Sequence, residues 1–317
     1  MNFKVLLPIL IAFTISVVLG PVLIPFLKKL KFGQFVRDDG PESHLKKSGT
    51  PTMGGLIILT SIVITALFYA GKYPKIIPVL FVTLGFGLIG FADDYIKVVM
   101  KRSLGLTPIQ KMIGQFGVTL LFGIYLMIQK DIPTTMIIPF SGGKELALGI
   151  FYLPVLFFIV LGTVNGANFT DGLDGLASSV TVLIAVFFTV VAIGTSAGVA
   201  PITCAVVGAL LGFLVYNVYP AKVFMGDTGS LALGGFVVST AYMLQMPLFI
   251  PIVALVYLVE VLSVIIQVAY FKKTGKRIFK MAPIHHHFEL CGWPETKVVA
   301  IFSILTAILC LVGLLAY

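Results

Sequence analysis

The sequence predicts an all-α polytopic membrane protein of about ten transmembrane helices, with both termini outside and a polar site at the cytoplasmic face. Three observations lead there. The first is composition. Residues of the types Ala, Val, Ile, Leu, Met, Phe, Trp, Tyr and Cys make up 58% of the 317, against roughly 45–50% in a soluble chain even with Gly counted. Charged residues are 11%, against about 25%, and the mean hydropathy is +1.08. Too few polar residues remain to cover a soluble surface, and 26 Phe with 11 Tyr exclude a disordered chain. The second is the length of the apolar runs, near the 20 or so residues that crossing a bilayer needs. The third is the sidedness of the charge.

The runs fall at 5–27, 53–70, 76–92, 109–128, 149–165, 176–193, 199–218, 231–246, 248–271 and 298–316. Met246-Pro247 separates the eighth from the ninth. The first run has one Lys before it, exceeds 20 residues and lacks an Ala-x-Ala exit before Lys28-Lys29, so it reads as a span rather than a cleaved signal. No linker or long repeat interrupts the chain, so 1–317 reads as one integral-membrane domain. The loop at 129–148, with Ser141-Gly142-Gly143, reads as a short outer hairpin.

With ten spans both ends share a side, and the loops at 28–52, 93–111, 166–175, 217–230 and 272–297 share the other. Those five loops hold 17 of the 22 Lys and Arg, which places them in the cytoplasm and the termini outside. The net charge of +9 is thereby explained by topology, and no nucleic-acid partner is expected. Ten of the 13 acids lie on that same side. Topology does not require this, so a polar site is expected there. Cys204, Cys291 and Cys310 are too scattered for a disulfide framework or a zinc knuckle.

Five constellations carry the polar chemistry. Asp93-Asp94-x-x-Lys97 closes the third span. Adjacent helical side chains diverge by about 100°, so the two acids should do different work, with Lys97 in ion-pair reach of either. In Asn165-x-x-Asn168-x-x-Asp171-x-x-Asp174 the spacing of three drifts by about 60° per step on a straight helix. The four converge only if the helix breaks, which Gly166, Gly172 and Gly175 permit, and Thr170 or Asp171 could cap the next helix. Asn217 to Ser230 joins two spans and ends in Gly226-Asp227-Thr228-Gly229-Ser230, which reads as a helix N-terminus able to hold an anion. Met281 to Glu289 carries His285-His286-His287 behind Pro283. Pro283 argues against an ordinary helix, and an extended chain would put His285 and His287 on one face. No Cys-x-x-Cys or His-Glu-x-x-His accompanies them, so phosphate binding or proton transfer is preferred over zinc. The stretch 38–55 brings Lys47 and Thr52 to the second span as candidate anion contacts. In the ninth run, Glu260 and Gln267 are seven apart and share a helix face. An ionisable residue there is a functional candidate.

Carboxylates, lysines, histidines and glycine turns beside one membrane face suit phosphoryl transfer, in which negative oxygens need a divalent cation and basic groups. No Gly-x4-Gly-Lys-Ser/Thr sequence is present, which argues against a P-loop enzyme. A secondary transporter would place its polar site near the bilayer midplane, whereas these motifs sit at helix ends.

The motifs Asp93-Asp94-x-x-Lys97, Asn168-x-x-Asp171-Gly172-Leu173-Asp174-Gly175, Asn217-x-x-Pro220-Ala221-x-x-Phe224-Met225-Gly226-Asp227-x-Gly229-Ser230 and Met281 through Glu289 resemble those of the polyprenyl-phosphate N-acetylhexosamine-1-phosphate transferases. The last is most similar to the branch that takes a MurNAc-pentapeptide donor. The alternative within the superfamily is a UDP-GlcNAc-dependent relative. The resemblance implies a Mg²⁺-dependent enzyme of the bacterial cytoplasmic (inner) membrane. It would move phospho-MurNAc-pentapeptide from UDP-MurNAc-pentapeptide to undecaprenyl phosphate, giving lipid I and UMP for peptidoglycan. It also implies a homodimer inhibited by nucleoside antibiotics. By the same resemblance, Asp227 is the metal ligand, and Asp93 and Asp94 lie near the lipid phosphate, with Asp93 deprotonating or positioning it. Lys97 and Lys111 hold phosphates, and His285, His286 and His287 face the diphosphate or sugar. Lys47, Thr52, Asn168, Asp171, Gly172, Leu173, Asp174, Asn217, Phe224, Gly226, Ser230 and Gln267 form the nucleoside and sugar surface, with Phe224 stacking on uracil.

Overall fold

A computed structural model describes residues 3–29, 47, 49–98, 100, 105–129 and 131–317, with the side chains of 3–5 left out. The acids and bases of the 38–46 stretch lie outside these residues. The helices are α1 (Phe3–Lys29), α2 (Gly55–Ala70), α3 (Ile76–Val98), α4 (Pro108–Ile128), α5 (Tyr152–Thr170), α6 (Leu176–Gly194), α7 (Ala200–Asn217), α8 (Gly226–Met243), α9 (Ile250–Val253), α10 (Leu255–Thr274), α11 (Ile284–Leu290) and α12 (Glu295–Ala316). Each of the ten apolar runs has its long helix. Eight are long and apolar enough to cross a membrane. The two that fall short are α2, with 16 residues, and α8. Every residue of α8 from Thr228 to Met243 is buried in protein, so it need not be as apolar as a lipid-facing helix.

The burial of α8 organises the bundle. It packs along α3 and α5 and also touches α2 and α6. The α3 contact is close because Gly90 lacks a side chain: a Cβ there would stand 2.0 Å from the Asp227 carbonyl oxygen. On the periphery α1 lies along α7, where Ser16 Oγ donates to the Ala209 carbonyl at 2.9 Å and Tyr216 OH to that of Val17 at 2.7 Å. Several buried hydroxyls are satisfied within their own helices. Ser61, Thr83, Thr119, Ser239 and Thr306 each donate to the carbonyl four residues back, which spares an unpaired polar group in an apolar setting.

The loop after α4 forms the expected hairpin. Strand β1 (Thr135–Ile137) pairs antiparallel with β2 (Glu145–Ala147), Thr135 opposite Ala147. It ties off one end of the bundle, since Ile137 N–H donates to Gln245 O and Phe140 N–H to Ala316 O, both at 2.8 Å. The C-terminal ends of α8 and α12 are therefore at the hairpin end, and their N-termini, with Asp227 and Glu295, are at the other.

Two local expectations are corrected. The ninth run is not one helix from 248. After Met246-Pro247 the chain makes a 3₁₀ turn (Pro247–Phe249) and the single turn α9, then breaks at Ala254 (φ −116°, ψ 33°) before α10. Pro247 and Pro251 have no N–H to sustain a continuous ladder. The break lets α10 begin beside Gly166, where a Cβ would lie 2.6 Å from Tyr257 O. The three histidines are not extended either. Pro283 is the N-cap of α11, in extended conformation (φ −61°, ψ 168°), so it precedes the helix and does not interrupt it.

Candidate active site

At the end of the bundle away from the hairpin, α3 and α8 meet and bring three carboxylates together. Asp93, Asp94 and Asp227 each offer an oxygen within 4.8 Å of the others. As the sequence anticipates, α3 continues past the two adjacent acids and they do different work. Asp94 faces the start of α8: its Oδ2 accepts from Thr228 N–H at 2.9 Å and Thr228 Oγ1 at 2.6 Å, and its Oδ1 from Asp227 N–H at 3.2 Å. The helix N-terminus thus holds its anion, supplied by the protein itself. Gly226 makes this turn with φ +73°, and a Cβ on it would meet Asp94 Oδ2 at 2.6 Å and Thr52 Oγ1 at 2.7 Å. Only glycine suits both conditions.

Asp93 and Asp227 face the lysines. Lys97 Nζ lies 2.5 Å from Asp93 Oδ2 and 3.2 Å from Asp227 Oδ2. Lys111, from the first turn of α4, lies 2.8 Å from that same Asp227 oxygen. Asp93 Oδ1 accepts from Leu106 N–H at 2.8 Å. Asn168 Nδ2 reaches Asp227 Oδ1 and Ser230 Oγ, each at 2.8 Å. Asp227 is the accessible carboxylate, its side chain 18% exposed against 3% for Asp93.

The four polar residues at spacing three separate. Helix α5 runs unbroken to Thr170, so Asn165 stays inside the bundle and pairs with Gln115 of α4 through hydrogen bonds of 2.9 and 3.3 Å. The break comes at Asp171, beyond Asn168. Neither Thr170 nor Asp171 caps α6. That N-cap is Gly175, in left-handed conformation (φ 77°), while Thr170 Oγ1 donates back to Gly166 O at 2.7 Å. Burial, and then the charges of Asp227 and Asp94, hold the Asp171 carboxyl well above the usual carboxylate range, against a backbone hydrogen bond from Gly226.

A second polar knot gathers the loops. Lys47 Nζ bridges Asp174 Oδ1 at 2.7 Å and Glu295 Oε1 at 2.6 Å. Glu295 Oε1 also accepts from Asp174 N–H at 2.6 Å, and Asp174 Oδ2 accepts from Ala221 N–H at 2.9 Å. Burial alone would lower the Lys47 ammonium's affinity for its proton, but the hydrogen bonds and charges of Asp174 and Glu295 hold it above its usual 10.5. Glu295 is the residue that sequence reasoning missed. The only signal was an acid in the first turn after Pro294.

The remaining candidates are placed as follows. Residues 51–55 run beside 224–225 through Phe224 N–H to Pro51 O, Gly54 N–H to Phe224 O and Gly55 N–H to Met225 O, all at 2.8 Å. This sets Thr52 and the half-buried Phe224 next to Gly226. Leu173 is buried in the turn. Asn217 is buried, accepting from Ser178 Oγ at 3.0 Å and donating to Val223 O at 3.0 Å. Gln267 and Glu260 do share a face of α10. The Gln267 amide pins Ile278 and Phe279 by their backbones, and Glu260 reaches His285 Nδ1 at 3.0 Å. His286 Nδ1 meets Glu289 Oε2 at 2.8 Å, and His287 Nδ1 accepts from Lys280 N–H at 3.1 Å. The helical turn thus gives three adjacent histidines three different partners.

Carboxylates interlocked with lysines, at one end of a bundle of helices long and apolar enough to cross a membrane, define a polytopic membrane protein with a charged candidate site. The comparisons with known proteins sharpen this. The profile described as glycosyl transferase family 4 matches residues 76–245, and the first signature of phospho-N-acetylmuramoyl-pentapeptide-transferase matches residues 47–59. Proteins named phospho-N-acetylmuramoyl-pentapeptide-transferase are similar over nearly the whole chain. The one from Clostridium botulinum (strain Alaska E43 / Type E3) is 54% identical over 100% of this chain and 97% of its own length. That from Acetivibrio thermocellus is 53% identical over 97% and 93%, and that from Clostridioides difficile 51% over 97% and 96%. The chain belongs to the phospho-N-acetylmuramoyl-pentapeptide-transferase family, and it is a multi-pass membrane transferase.

Proposed function

We propose that the protein transfers phospho-MurNAc-pentapeptide from UDP-MurNAc-pentapeptide to undecaprenyl phosphate, releasing UMP and forming lipid I for peptidoglycan synthesis. The whole chain acts as one transferase domain, with its site facing the cytoplasm from the cytoplasmic membrane, and works as a homodimer open to nucleoside inhibitors. The observation that carries the reading is the Asp93–Lys97–Asp227–Lys111 cluster on the ends of α3, α4 and α8. Its position at one end of the bundle supports a meeting of a lipid phosphate with a soluble nucleotide sugar.

The reaction is written as a direct displacement. An oxygen of the lipid phosphate attacks the sugar-linked phosphorus of the diphosphate, the bridging P–O bond breaks, and UMP leaves with that oxygen. The lipid phosphate ionises near neutral pH and needs no strong base, so Asp93 accepts its residual proton or fixes its position. Lys97 and Lys111 release Asp227 in part and turn to the phosphate oxygens, balancing the negative charge. Asp94, with both oxygens engaged by α8, holds Asp227 in place. The cluster suits a divalent cation, because three carboxylates against two ammonium groups leave a net negative charge and Asp227 is accessible. Asp227 would hold Mg²⁺ with Asp93 beside it, and the ion supplies charge neutralisation to the diphosphate. Lys47, Thr52, Asp171, Gly172, Leu173, Asp174 and Phe224 line the nucleoside and sugar surface, with the Phe224 ring stacking on uracil. Asn168 and Ser230 steady Asp227, and Asn217 and Gln267 steady the flanking loops. His285, His286 and His287 face the sugar and diphosphate.

The test is a coupled assay with purified protein, Mg²⁺, UDP-MurNAc-pentapeptide and undecaprenyl phosphate, with and without excess EDTA. Equimolar, EDTA-sensitive UMP and lipid product are expected. Turnover of UDP-GlcNAc in place of the MurNAc donor would contradict the substrate assignment.

A further inference from the structure

Glu260 lies on α10 with no exposure, and His285 at the start of α11 is likewise fully buried. Among the described residues the only hydrogen bond their side chains make is with each other, Glu260 Oε2 to His285 Nδ1 at 3.0 Å. An ionised carboxylate can only accept, so the bond requires the proton on Nδ1. A neutral imidazole then carries its lone pair on Nε2. That Nε2 is buried without a partner among the described residues, and so is Glu260 Oε1. Unpaired buried polar atoms at both ends of one hydrogen bond are costly, and such a cost is retained where function needs it. Nε2 is aimed at the 171–174 turn: a Cβ on Gly172 would stand 2.1 Å from it. The neighbouring ring of His286, with centroids 4.1 Å apart, flanks the imidazole on one side.

We propose that Glu260 is a positioning residue that fixes His285 as the Nδ1–H tautomer, so that Nε2 accepts a hydrogen bond from an N–H or O–H group of the nucleotide sugar held at the 171–174 turn. The proposal rests on reading that turn as part of the donor surface. It assigns His285 a neutral acceptor role, distinct from a cation gripping phosphate. Glu260 acts on the donor through His285 and leaves the lipid phosphate untouched.

The experiment uses the full-length protein in detergent with ¹⁵N-labelled histidine, the His285 resonances being identified by their loss in His285→Ala. Glu260→Met keeps the length of the side chain and removes the acceptor. It is expected to lose the Nδ1–H signature of His285 and to raise KM for UDP-MurNAc-pentapeptide roughly ten-fold, the scale of one hydrogen bond. KM for undecaprenyl phosphate should stay within two-fold. Combined with His285→Ala, it should add nothing to the single His285 variant. In Glu260→Gln the amide can accept or donate, so tautomer and donor KM should move together, whichever way the amide turns. This variant decides the matter if Glu260→Met does not fold. An unchanged tautomer in Glu260→Met overturns the positioning role, as do tautomer and KM moving independently or a multiplicative double variant. If His285→Ala leaves the donor KM unchanged while the tautomer still follows Glu260, the donor-surface reading fails and the positioning stands.

Discussion

Replacing Asp227 by Asn keeps the shape of the side chain and removes one negative charge. In the native site three carboxylates and two ammonium groups leave a net charge of −1, counting Asp93, Asp94 and Asp227 against Lys97 and Lys111. The substitution brings that to zero and leaves both lysines competing for Asp93. At 2.8 and 3.2 Å the two contacts would each be worth about 5–6 kcal/mol in a medium of effective dielectric about 20. Solvent reduces this strongly, since the lysine side chains are 19% and 40% exposed. Measured costs run from under about 1 kcal/mol for exposed pairs to about 3–5 for buried ones, which places Asp227→Asn at about 2 kcal/mol of stability, or a few degrees of thermal midpoint. The effect on turnover is larger. Losing one preorganised electrostatic group costs about 10²–10³, and Asp227 is also the assigned cation ligand, so kcat should fall by at least about 10³. The assay is UMP release with lipid product, beside a detergent melting curve to show the fold. A folded Asp227→Asn variant within ten-fold of the wild-type rate would refute the role.

Gly90→Ala should cost about 3 kcal/mol and activity together, because the added methyl meets the Asp227 carbonyl at 2.0 Å, a backbone contact that cannot swing aside. A melting point within a degree of wild type would contradict it. Lys47→Met should weaken nucleotide binding and free Asp174 and Glu295. The Lys47 proton affinity is raised in the folded protein, so its stabilisation is fully present below its ordinary 10.5 and fades only as pH rises through the higher folded value. The wild-type advantage over Lys47→Met should therefore be flat from about pH 6 to 9 in detergent melts; a decline inside that window would be contrary. Asp171 has the opposite consequence. Its carboxyl is raised in the fold, so the folded state favours the protonated form and stability falls as pH climbs above 3.8. Asp171→Asn should remove that part of the slope above pH 3.8 in detergent melts, and an unchanged slope would count against it.

Much of the helix layout was legible because apolar runs of membrane length report long helices directly. The ten runs, the hairpin and the start of α8 at Gly226 all follow from such local signals. What was not legible depends on non-local partners. The break at Ala254 is the exception, since it follows from prolines inside a run that hydropathy treats as continuous. The partner of His285 lies on α10, 25 residues upstream in the sequence, whereas those of His286 and His287 are local. The Asp94 contact with α8 required knowing which helix faces α3, and Glu295 became visible only when Lys47 met it across the fold. The site's residue types were readable from motifs, whereas their division of labour came from packing.

The most direct test of the central claim is a single-turnover experiment with donor radiolabelled in the MurNAc-phosphate and enzyme in excess, omitting or adding undecaprenyl phosphate. Direct displacement at the Asp93–Asp227 cluster predicts no UMP and no labelled protein without the lipid, and stoichiometric UMP with labelled lipid once it is added. A burst of UMP with label retained on the protein in the absence of lipid would contradict the direct route and point to a covalent carboxyl-phosphate intermediate.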